Sequence, residues 1–530
     1  MALRVVATGE AEKAVAETIE SLISNRIASR IAAKDFTIWG KDAESESAIR
    51  LGWVNSASDT APLIPEILAL RDKFIAQGVN RFVLCGMGGS SLAPEVITKN
   101  YGVDLVVLDS TEPEQVLAVV STDIQRTAII VSSKSGSTVE TDSQKRIFEE
   151  AFTNAGIEKT QRIIIVTDPG SPMEVAAKAD GYQIFNADPN VGGRYSALTA
   201  FGLVPSGLAG ANVSELVNQA IAASDQLAAD DAANPAVILG AAMARTPGLV
   251  DYRDKLGILA DASLPGFGDW AEQLIAESTG KIDRGVLPVV LTGDSFETTA
   301  GQEDLLIAHV GANEVTNTQG LAVSGTLGAQ FMLWEYATVI AGYLLGVNPF
   351  DQPDVESAKI AARGMLEKRA AIAEPLFEDS GIEVRAHNLD LSDSADVKAV
   401  VQTLLSELKA DGYVSIQAYL DRTGHYETEA LRNAVAKNSS RPTTFGWAPR
   451  FLHSTGQYHK GGPKQGVFLQ LIAHSDVDVQ VPGRDFTLGQ LIASQAAGDA
   501  QVLADLGRPV LSLTLRSPEI DFVRILKVLA

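Results

Sequence analysis

The stretch TAIIVSSKSGSTVET, from Thr127 to Thr141, joins an apolar run to a helix start through a loop rich in hydroxyl groups. The run AIIV predicts a buried β-strand. Ser137 and Glu140 have the spacing of a capping box and predict that the next helix begins there. A strand that leads directly into a helix is the unit from which parallel α/β sheets are built.

The loop inside this stretch has the groups that bind a phosphate monoester. They are its free backbone N–H groups, the hydroxyls of Ser133, Ser135 and Thr138, and the ammonium group of Lys134. N–H groups at a helix N-terminus attract anions, and a lysine adds a full positive charge. We therefore predict a phosphate site in this loop; the alternative is an ordinary polar turn between a strand and a helix.

The same alternation of strands and helices extends on both sides of this stretch. The segments RFVLC, DLVVLD, TAIIV, RIIIVTD and YQIFN are typical of strands, and Ser171 with Glu174 forms a second capping box. Such a series predicts a doubly wound parallel sheet. Ligands of such sheets bind beyond the carboxyl ends of the strands, where the loops that hold Ser90, Lys134 and Arg194 lie.

A break near Pro205 and a further series of strands predict a second α/β unit. Its first strands are KLGILA, VLPVVLT and LLIAHV, followed by the buried helix GTLGAQFMLWEYATVIAGYLL. A later group comprises EVRAHNL, YVSIQAYL, TTFGWA, VFLQLIAH and VLSLTL. The predicted organisation is a helical segment at 1–50, a first α/β domain at 51–210 and a second domain at 211–530.

The composition indicates a protein that binds neither nucleic acid nor membranes. The chain has 530 residues, 46% of them hydrophobic, and a formal net charge of -23. Such an acidic surface repels nucleic acid and anionic lipids, so any anion site must be locally basic. Cys85 is the only cysteine, the N-terminal sequence lacks the apolar core of a signal peptide, and the longest apolar run, Trp334 to Val347, is interrupted by Glu335. We expect a buried helix there and a cytoplasmic protein.

A glycine-rich loop, Gly86-Met87-Gly88-Gly89-Ser90-Ser91, follows the first strand and opens a helix. A dinucleotide-binding loop would have a third glycine where Ser91 stands, and a P-loop would end in Lys-Ser/Thr. Glycine lets the backbone approach a ligand closely, and the serines add hydroxyl groups. The loop therefore favours a cradle for a sugar or its phosphate.

Three charged residues are candidates for catalysis, each with a structural alternative. Arg194 follows two glycines at the end of the fifth strand, and it could equally pair with a structural acid. Glu277 lies in the last turn of a helix that we expect to end near Ser278, where the helix dipole disfavours a carboxylate. Such a position should raise its pKa and suits a general base, whereas the alternative is a solvated surface glutamate. Lys359 lies two turns into a helix, where it could pair with Glu356 on a solvated face.

None of the six histidines forms an H-x-H or H-E-x-x-H pattern, so the sequence predicts no histidine metal centre. His453 stands in the polar segment RFLHSTGQYHKGGP, between Arg450 and Lys460. This segment is typical of a functional loop that leads into a helix. A structural role for a lone histidine is the alternative.

Five segments resemble the glucose-6-phosphate isomerase (phosphoglucose isomerase) family and occur in the family's order: GMGGSSLAP, SSKSGSTVET, VGGRYS, QLIAESTGK and NPFDQPDVESAK. The resemblance implies two sugar-isomerase (SIS) domains with flavodoxin-like doubly wound parallel sheets, plus helical appendages. It implies a homodimeric enzyme of glycolysis and gluconeogenesis that isomerises glucose 6-phosphate and fructose 6-phosphate through a cis-enediolate. It also implies that no metal or organic cofactor is needed.

The resemblance assigns roles to individual residues. Glu277 would move a proton between C1 and C2, Arg194 would stabilise the enediolate, and Lys359 would assist ring opening. The substrate phosphate would bind to Ser133, Lys134, Ser135 and Thr138. Gly89 and Ser90 would line the crevice, and Gln273 and Gln352 would contact the substrate.

The position of the family's catalytic histidine differs in this chain. In the family it follows soon after the glutamate, but here VLPVVLTGDSFETTAGQEDLL contains no histidine. A similar segment, LHSTGQYHKGG, comes after the lysine helix, an arrangement that resembles the isomerase half of transaldolase–isomerase fusion proteins. We infer that His453 takes the role from a rearranged C-terminal portion of the second domain, with His309 as the fallback. The family's histidine comes from the neighbouring subunit; here its action in cis or in trans is open.

Two other functions stay open on the sequence alone. A non-catalytic SIS regulator that senses sugar phosphates would need the phosphate loop, but not Glu277, Lys359 and His453 together. An isomerase of another phosphosugar, such as mannose 6-phosphate or an amino sugar phosphate, would use the same residues.

Overall fold

The computed structural model describes residues 3–244, 254–316, 319–355, 364, 366, 373–475 and 477–529. The strands of this described part are β1 Arg4–Ala7, β2 Arg81–Gly86, β3 Val106–Leu108, β4 Thr127–Ser132, β5 Ile163–Thr167, β6 Gln183–Asn186, β7 Lys255–Ala260, β8 Leu287–Leu291, β9 Leu305–Gly311, β10 Leu321–Ser324, β11 Phe377–Asp379, β12 Ile382–His387, β13 Tyr413–Tyr419, β14 Thr443–Trp447, β15 Gly466–Ala473 and β16 Val510–Leu515. The helices are α1 Glu10–Ser24, α2 Ile27–Ala32, α3 Glu44–Ser47, α4 Ser56–Thr60, α5 Ile64–Ala76, α6 Leu92–Tyr101, α7 Pro113–Ser121, α8 Val139–Asn154, α9 Pro172–Asp180, α10 Ala200–Ala209, α11 Val213–Leu227, α12 Pro235–Met243, α13 Phe267–Thr279, α14 Glu297–Ala300, α15 Leu327–Leu345, α16 Val397–Ser406, α17 Ala430–Ser439, α18 Gly456–Gly461, α19 Leu488–Asp505 and α20 Pro518–Leu529.

The first sheet is parallel throughout and has the strand order β3-β2-β4-β5-β6. Counted within this unit the order is 2-1-3-4-5, the flavodoxin-like arrangement, so the predicted doubly wound sheet is confirmed. Alternate side chains of β4 enter two different hydrophobic clusters, because helices cover both faces of the sheet. The strand order reverses between β2 and β4. The loops after these two strands are the glycine-rich loop, residues 86–91, and the hydroxyl loop, residues 133–138.

The second sheet has the order β1-β10-β9-β7-β8 and is parallel except for β1 at its edge. The predicted strands KLGILA, VLPVVLT and LLIAHV correspond to β7, β8 and β9. Residues Arg4–Ala7, which the sequence predicts to be helical, form the antiparallel edge strand. Their sequence, RVVA, contains two β-branched residues that suit a strand. The predicted buried helix is α15, and no described helix is long and apolar enough to cross a membrane.

The strands of the C-terminal unit, residues 373–529, form a third sheet with the order β11-β12-β16-β15-β13-β14. Its four strands from β16 to β14 are parallel, and β11 and β12 extend it in antiparallel pairs. The sheet has a hydrophobic core of its own. Tyr413 and Tyr458 of this unit also pack against Leu287 and Leu305 of the second sheet. We propose that these residues are a third unit; the predicted domain boundaries stay predictions.

Neither of the two predicted capping boxes forms completely. Helix α8 begins at Val139 with Thr138 as its N-cap, and no side chain caps it. Glu140 is buried and binds elsewhere, so it does not reach back to Ser137. At the second predicted box, Ser171 accepts a hydrogen bond from the backbone N–H of Glu174 at 3.0 Å, but the carboxylate of Glu174 accepts from the N–H of Gly170 instead of that of Ser171.

Candidate active site

The glycine-rich loop meets residues from the second and third units at Gly88. A Cβ atom at this position would lie 2.4 Å from the carbonyl oxygen of His453 and 2.8 Å from Nε2 of Gln273. The backbone of Gly88 has φ +54, so both space and conformation require glycine. The amide of Gln273 donates a hydrogen bond of 2.7 Å to the same carbonyl of His453. Three segments that are distant in sequence therefore meet at the carboxyl end of β2.

The next glycine brings Arg194 into the same place. A Cβ atom at Gly89 would lie 2.0 Å from the carbonyl oxygen of Gly193, so the two loops touch along their backbones. Ser90, which follows, is also buried. The sequence predicts Gly89 and Ser90 as crevice residues, and the structure places both beside the segment that carries Arg194.

The guanidinium group of Arg194 is buried and ties together three chain segments. Its Nε donates to the hydroxyl of Ser278 at 2.9 Å, and its Nη2 donates to the carbonyls of Pro349 and Asp351 at 2.7 Å and 2.9 Å. Its Nη1 lies 3.4 Å from Oε2 of Glu277. With most of its donors engaged, Arg194 is held in one orientation beside the carboxylate.

Glu277 is 4% exposed, so the alternative of a solvated surface glutamate is wrong. It lies in the last turn of α13, which ends at Thr279 with Gly280 as its C-cap, close to the predicted helix end. A carboxylate at the negative end of a helix is stabilised here by the neighbouring Arg194. The pair places a fixed acid–base group next to a fixed cation.

His453 ends a short 3₁₀ turn, Arg450–His453, that follows β14. Its Nε2 lies 2.9 Å from Oε1 of Glu140, in the first turn of α8. The same carboxylate oxygen accepts a hydrogen bond of 2.7 Å from the amide of Gln495. A carboxylate that accepts from Nε2–H leaves Nδ1 as the basic nitrogen of the neutral imidazole. Glu140 thus orients a histidine that is separated from it by 313 residues.

The hydroxyl loop is internally hydrogen-bonded. The hydroxyls of Ser133 and Thr138 lie 3.0 Å apart, and Ser133 also accepts from the N–H of Gly136. Ser135 accepts from the hydroxyl of Ser137 at 3.0 Å. The loop therefore presents its hydroxyls close together at the N-terminus of α8, as a phosphate site requires.

Lys134 of this loop has an internal counter-ion. Its Nζ lies 2.5 Å from Oδ2 of Asp168. Burial lowers the pKa of Lys134 and raises the pKa of Asp168, even though each group favours the charged form of the other. An anion that binds Lys134 must therefore compete with the carboxylate of Asp168.

Residues 348–352 contact both Arg194 and Lys281. Gln352 is exposed, and its Oε1 accepts a hydrogen bond from Nη1 of Arg194 at 3.5 Å. Lys359, the predicted ring-opening residue, lies outside the described residues. His309, the fallback histidine, lies on β9, and burial lowers its pKa. Among the described residues, no group of three or more histidine, cysteine, aspartate or glutamate side chains could hold a metal ion.

The sequence analysis does not predict two residues that belong to the site, Glu140 and Lys281. Glu140 has the spacing of a capping box, which concealed its contact with His453. Lys281 follows Gly280 directly; its Nζ donates to the carbonyl of Asn348 and lies 2.8 Å from Oδ1 of Asp351. Burial, followed by the charge of Arg194, lowers the pKa of Lys281 to about 7. The sequence indicates Lys281, the second cation of the site after Arg194, only by its position directly after the ESTG segment.

Comparison with known proteins agrees with the resemblance of the five segments. The family model for phosphoglucose isomerase matches residues 73–294. The glucose-6-phosphate isomerase of Clostridium tetani is 30% identical over 377 residues, which cover 56% of this chain and 81% of that protein. A probable glucose-6-phosphate isomerase of Haloarcula marismortui is 28% identical over 348 residues, which cover 54% of this chain and 78% of that protein.

Two solved structures share the fold. A hypothetical protein from Thermus thermophilus aligns with a TM-score of 0.59 at 24% identity, over 70% of this chain and 100% of that one. A glucose-6-phosphate isomerase from Chlamydia trachomatis aligns with a TM-score of 0.53 at 17% identity, over 68% of this chain and 86% of that one. At these identities the likeness concerns the fold, whereas the curated relative at 30% identity establishes the family. The chain therefore belongs to the glucose-6-phosphate isomerase family.

Proposed function

We propose that this chain catalyses the reversible isomerisation of glucose 6-phosphate and fructose 6-phosphate, a step of glycolysis and gluconeogenesis. The observation that carries the proposal is the buried pair of Glu277 and Arg194, whose side chains lie 3.4 Å apart at the end of α13. Family membership supports the same reaction. An aldose–ketose isomerase needs a base for a carbon-bound proton and a cation for the charge that follows, and this pair supplies both.

Glu277 is the proposed base for the central step. It removes the proton from C2 of the open-chain aldose and returns it to C1, and the reverse reaction uses the same carboxylate. A well-placed general base contributes about 10²–10⁴-fold to the rate. Its burial keeps bulk water away from the carboxylate, so the proton can be passed between neighbouring carbons.

Arg194 stabilises the charge that develops during this step. As the proton leaves carbon, negative charge accumulates on the enediolate oxygens next to Glu277. A preorganised donor at such a position contributes about 3–4 kcal/mol to transition-state stabilisation. Arg194 fits this role because its hydrogen bonds to Ser278, Pro349 and Asp351 fix the guanidinium before the substrate arrives.

Ring opening comes before proton transfer and needs its own acid–base group. We assign it to His453, whose imidazole is oriented by the carboxylate of Glu140. Nδ1 is then the nitrogen that exchanges a proton with the ring oxygen or the anomeric hydroxyl. The predicted assistance of Lys359 in this step remains part of the proposal.

The substrate is held by its phosphate and by amide groups of the crevice. Ser133, Lys134, Ser135 and Thr138 would bind the phosphate, and Gly89, Ser90, Gln273 and Gln352 would contact the sugar. Phosphate binding positions C1 and C2 against the carboxylate and converts remote contacts into rate. The proposed steps use no metal ion and no organic cofactor.

A coupled assay tests the proposal directly. Purified protein is given fructose 6-phosphate, and formation of glucose 6-phosphate is followed with and without a chelator. In a parallel assay it is given mannose 6-phosphate, and formation of fructose 6-phosphate is followed. We expect turnover of fructose 6-phosphate that the chelator does not change. Binding without turnover would favour the regulator, turnover of mannose 6-phosphate would favour the other isomerase, and activity that depends on added metal would contradict the proposed chemistry.

The assembly and location are also part of the proposal. The predicted homodimer is tested by light scattering of the purified protein, and the predicted cytoplasmic location is tested by cell fractionation. A small sugar phosphate is the only partner that the proposed reaction requires.

A further inference from the structure

The turn that carries His453 is joined to the first two units by an ionic cluster, which we call the Arg450 cluster. Its members are Arg450, Arg422, Glu95, Asp109 and Asp269. Nη1 of Arg450 lies 2.7 Å from Oε2 of Glu95 and 3.2 Å from Oδ2 of Asp109. Arg422 lies 3.0 Å from the other oxygen of Glu95 and 3.6 Å from Asp109, and Asp269 lies 3.9 Å from Arg450.

The charges of this cluster hold one another in place. Burial alone would raise the pKa of Glu95, but the charges of Arg450 and Arg422 outweigh it and lower the pKa. The same burial would lower the pKa of Arg450, and the charges of Glu95 and Asp109 raise it instead. Glu95 and Arg450 therefore stay charged, and separating them would leave two unpaired charges in a poorly solvated place.

The cluster connects the elements on which the active site is built. Glu95 lies in the first turn of α6, directly after the glycine-rich loop, and Asp269 lies in the first turn of α13, the helix of Glu277. Arg450 begins the 3₁₀ turn that ends at His453. The distance between the imidazole and the reacting carbons therefore depends on how Arg450 sits on these two helices.

We propose that Arg450 is a positioning residue that holds His453 in the active site of its own chain, so that each chain carries a complete site. This inference rests on the proposed isomerase function. Three contacts within one chain support it: the imidazole with Glu140, the backbone carbonyl with Gln273, and the close approach of Gly88. A site shared between two chains would need His453 of one copy to leave these contacts.

Mixing two inactive variants tests whether the site is complete within one chain. Glu277→Gln and His453→Asn are purified separately, mixed at equal concentration, partly unfolded, refolded together and assayed with fructose 6-phosphate. If the histidine acts in its own chain, no mixture regains activity. If it acts across subunits, hybrid dimers contain one intact site and the mixture regains about one quarter of the wild-type activity, which would overturn the inference. Inactive wild-type protein would instead count against the proposed isomerase function.

Two arginine variants test the positioning role. Arg450→Met should lower kcat about 100-fold, the effect of a catalytic group displaced by about 1 Å, with little change in KM. The matched control is Arg432→Met, because Arg432 also joins the C-terminal unit to the second unit, with bonds of 3.0 Å and 2.7 Å to Glu297. This control removes a buried ion pair between units but not the contact near His453, so its kcat should match that of the wild type.

Arg450→Lys provides a second test of the positioning role if Arg450→Met does not fold. Lysine retains the charge but cannot bridge two carboxylates in a fixed plane, so kcat should fall by less than in Arg450→Met while KM stays near that of the wild type. Wild-type kcat in whichever of the two Arg450 variants folds would overturn the positioning role. Equal losses of kcat in Arg450→Met and Arg432→Met would also overturn it, because the effect would then come from loosened units in general.

Discussion

Replacing Lys281 with methionine removes a buried cation that is held between two active-site segments. Its Nζ donates to the carbonyl of Asn348 and lies 2.8 Å from the carboxylate of Asp351. Arg194 binds the same segment through the carbonyls of Pro349 and Asp351. The variant should therefore loosen the segment that carries Gln352, and we expect kcat to fall about tenfold from the displaced geometry.

The same substitution should stabilise the fold at neutral pH. Burial and the charge of Arg194 lower the pKa of Lys281 from 10.5 to about 7. Between these values the unfolded chain binds a proton that the folded chain does not, so stability falls as the pH decreases from about 10.5 to 7. At 1.36 kcal/mol per unit this costs up to about 5 kcal/mol at pH 7. After the loss of the contacts with Asn348 and Asp351, a net gain of about 1–3 kcal/mol remains for the variant.

Urea unfolding of the wild type and Lys281→Met at pH 7 and pH 9.5 measures this gain. It should shrink by more than half at pH 9.5, because only about one pH unit separates pH 9.5 from the unfolded pKa of 10.5, so most of the cost to the wild type has not yet accumulated. The matched control is Lys255→Met: Lys255 is also buried, but it lies 2.6 Å from Asp254 and 2.8 Å from Asp304, so its loss should destabilise by about 3–5 kcal/mol. A Lys281→Met protein that is less stable than the wild type at pH 7, or whose gain does not depend on pH, would refute the reasoning.

Four further substitutions have distinct expected results. Lys134→Ala should raise KM for fructose 6-phosphate about 10- to 100-fold with a smaller change in kcat. Asp168→Asn removes the carboxylate that competes with the phosphate for Lys134, so it should lower KM. If KM is unchanged in both variants, Lys134 does not belong to the phosphate site. Glu140→Gln should lower kcat about 10- to 100-fold in steady-state assays, because the amide keeps the shape but not the charge beside His453; wild-type kcat would show that the contact is not needed. Glu335 is buried without a hydrogen-bond partner among the described residues, and burial raises its pKa, so the wild type loses stability as the pH rises above about 4.5. In urea unfolding, Glu335→Met should be more stable than the wild type by about 1–3 kcal/mol at pH 7 and by less at pH 4.5. A difference in stability that does not depend on pH would contradict this prediction.

Local sequence patterns predict most of the strands but not the division of the chain into sheets. The apolar runs behind β2, β4 and β5 identify buried strands because parallel strands covered on both faces are apolar throughout. The strands after Phe377 have the same pattern, and nothing local shows that they pair among themselves in a third sheet. The prediction that Arg4–Ala7 is helical is wrong for a related reason, because this strand forms by pairing with residues more than 300 positions away in the sequence.

The candidate site shows the same limit. Arg194 and Glu277 are recognisable as members of motifs, but their contact joins residues that are 83 positions apart. His453 stands at a different place in the chain from the family's histidine, and its polar neighbourhood and the resemblance identify it. Its partner Glu140 is not identified, because its spacing from Ser137 also suits a helix cap. The sequence does not predict a role for Lys281, because nothing in the residues next to it indicates that its side chain is buried. Contacts between loops of different units decide these roles, and they depend on the tertiary fold.

Proton transfer by Glu277 is the central claim, and solvent deuterium tests it most directly. In deuterated water the wild type should place deuterium at C2 in part of the glucose 6-phosphate formed from fructose 6-phosphate, as measured by NMR, because the proton on the buried carboxylate exchanges with solvent in only some turnovers. Glu277→Gln should lose both isomerisation and deuterium incorporation by at least about 10²–10⁴-fold while still binding fructose 6-phosphate. Deuterium incorporation by Glu277→Gln at the wild-type rate would contradict the account.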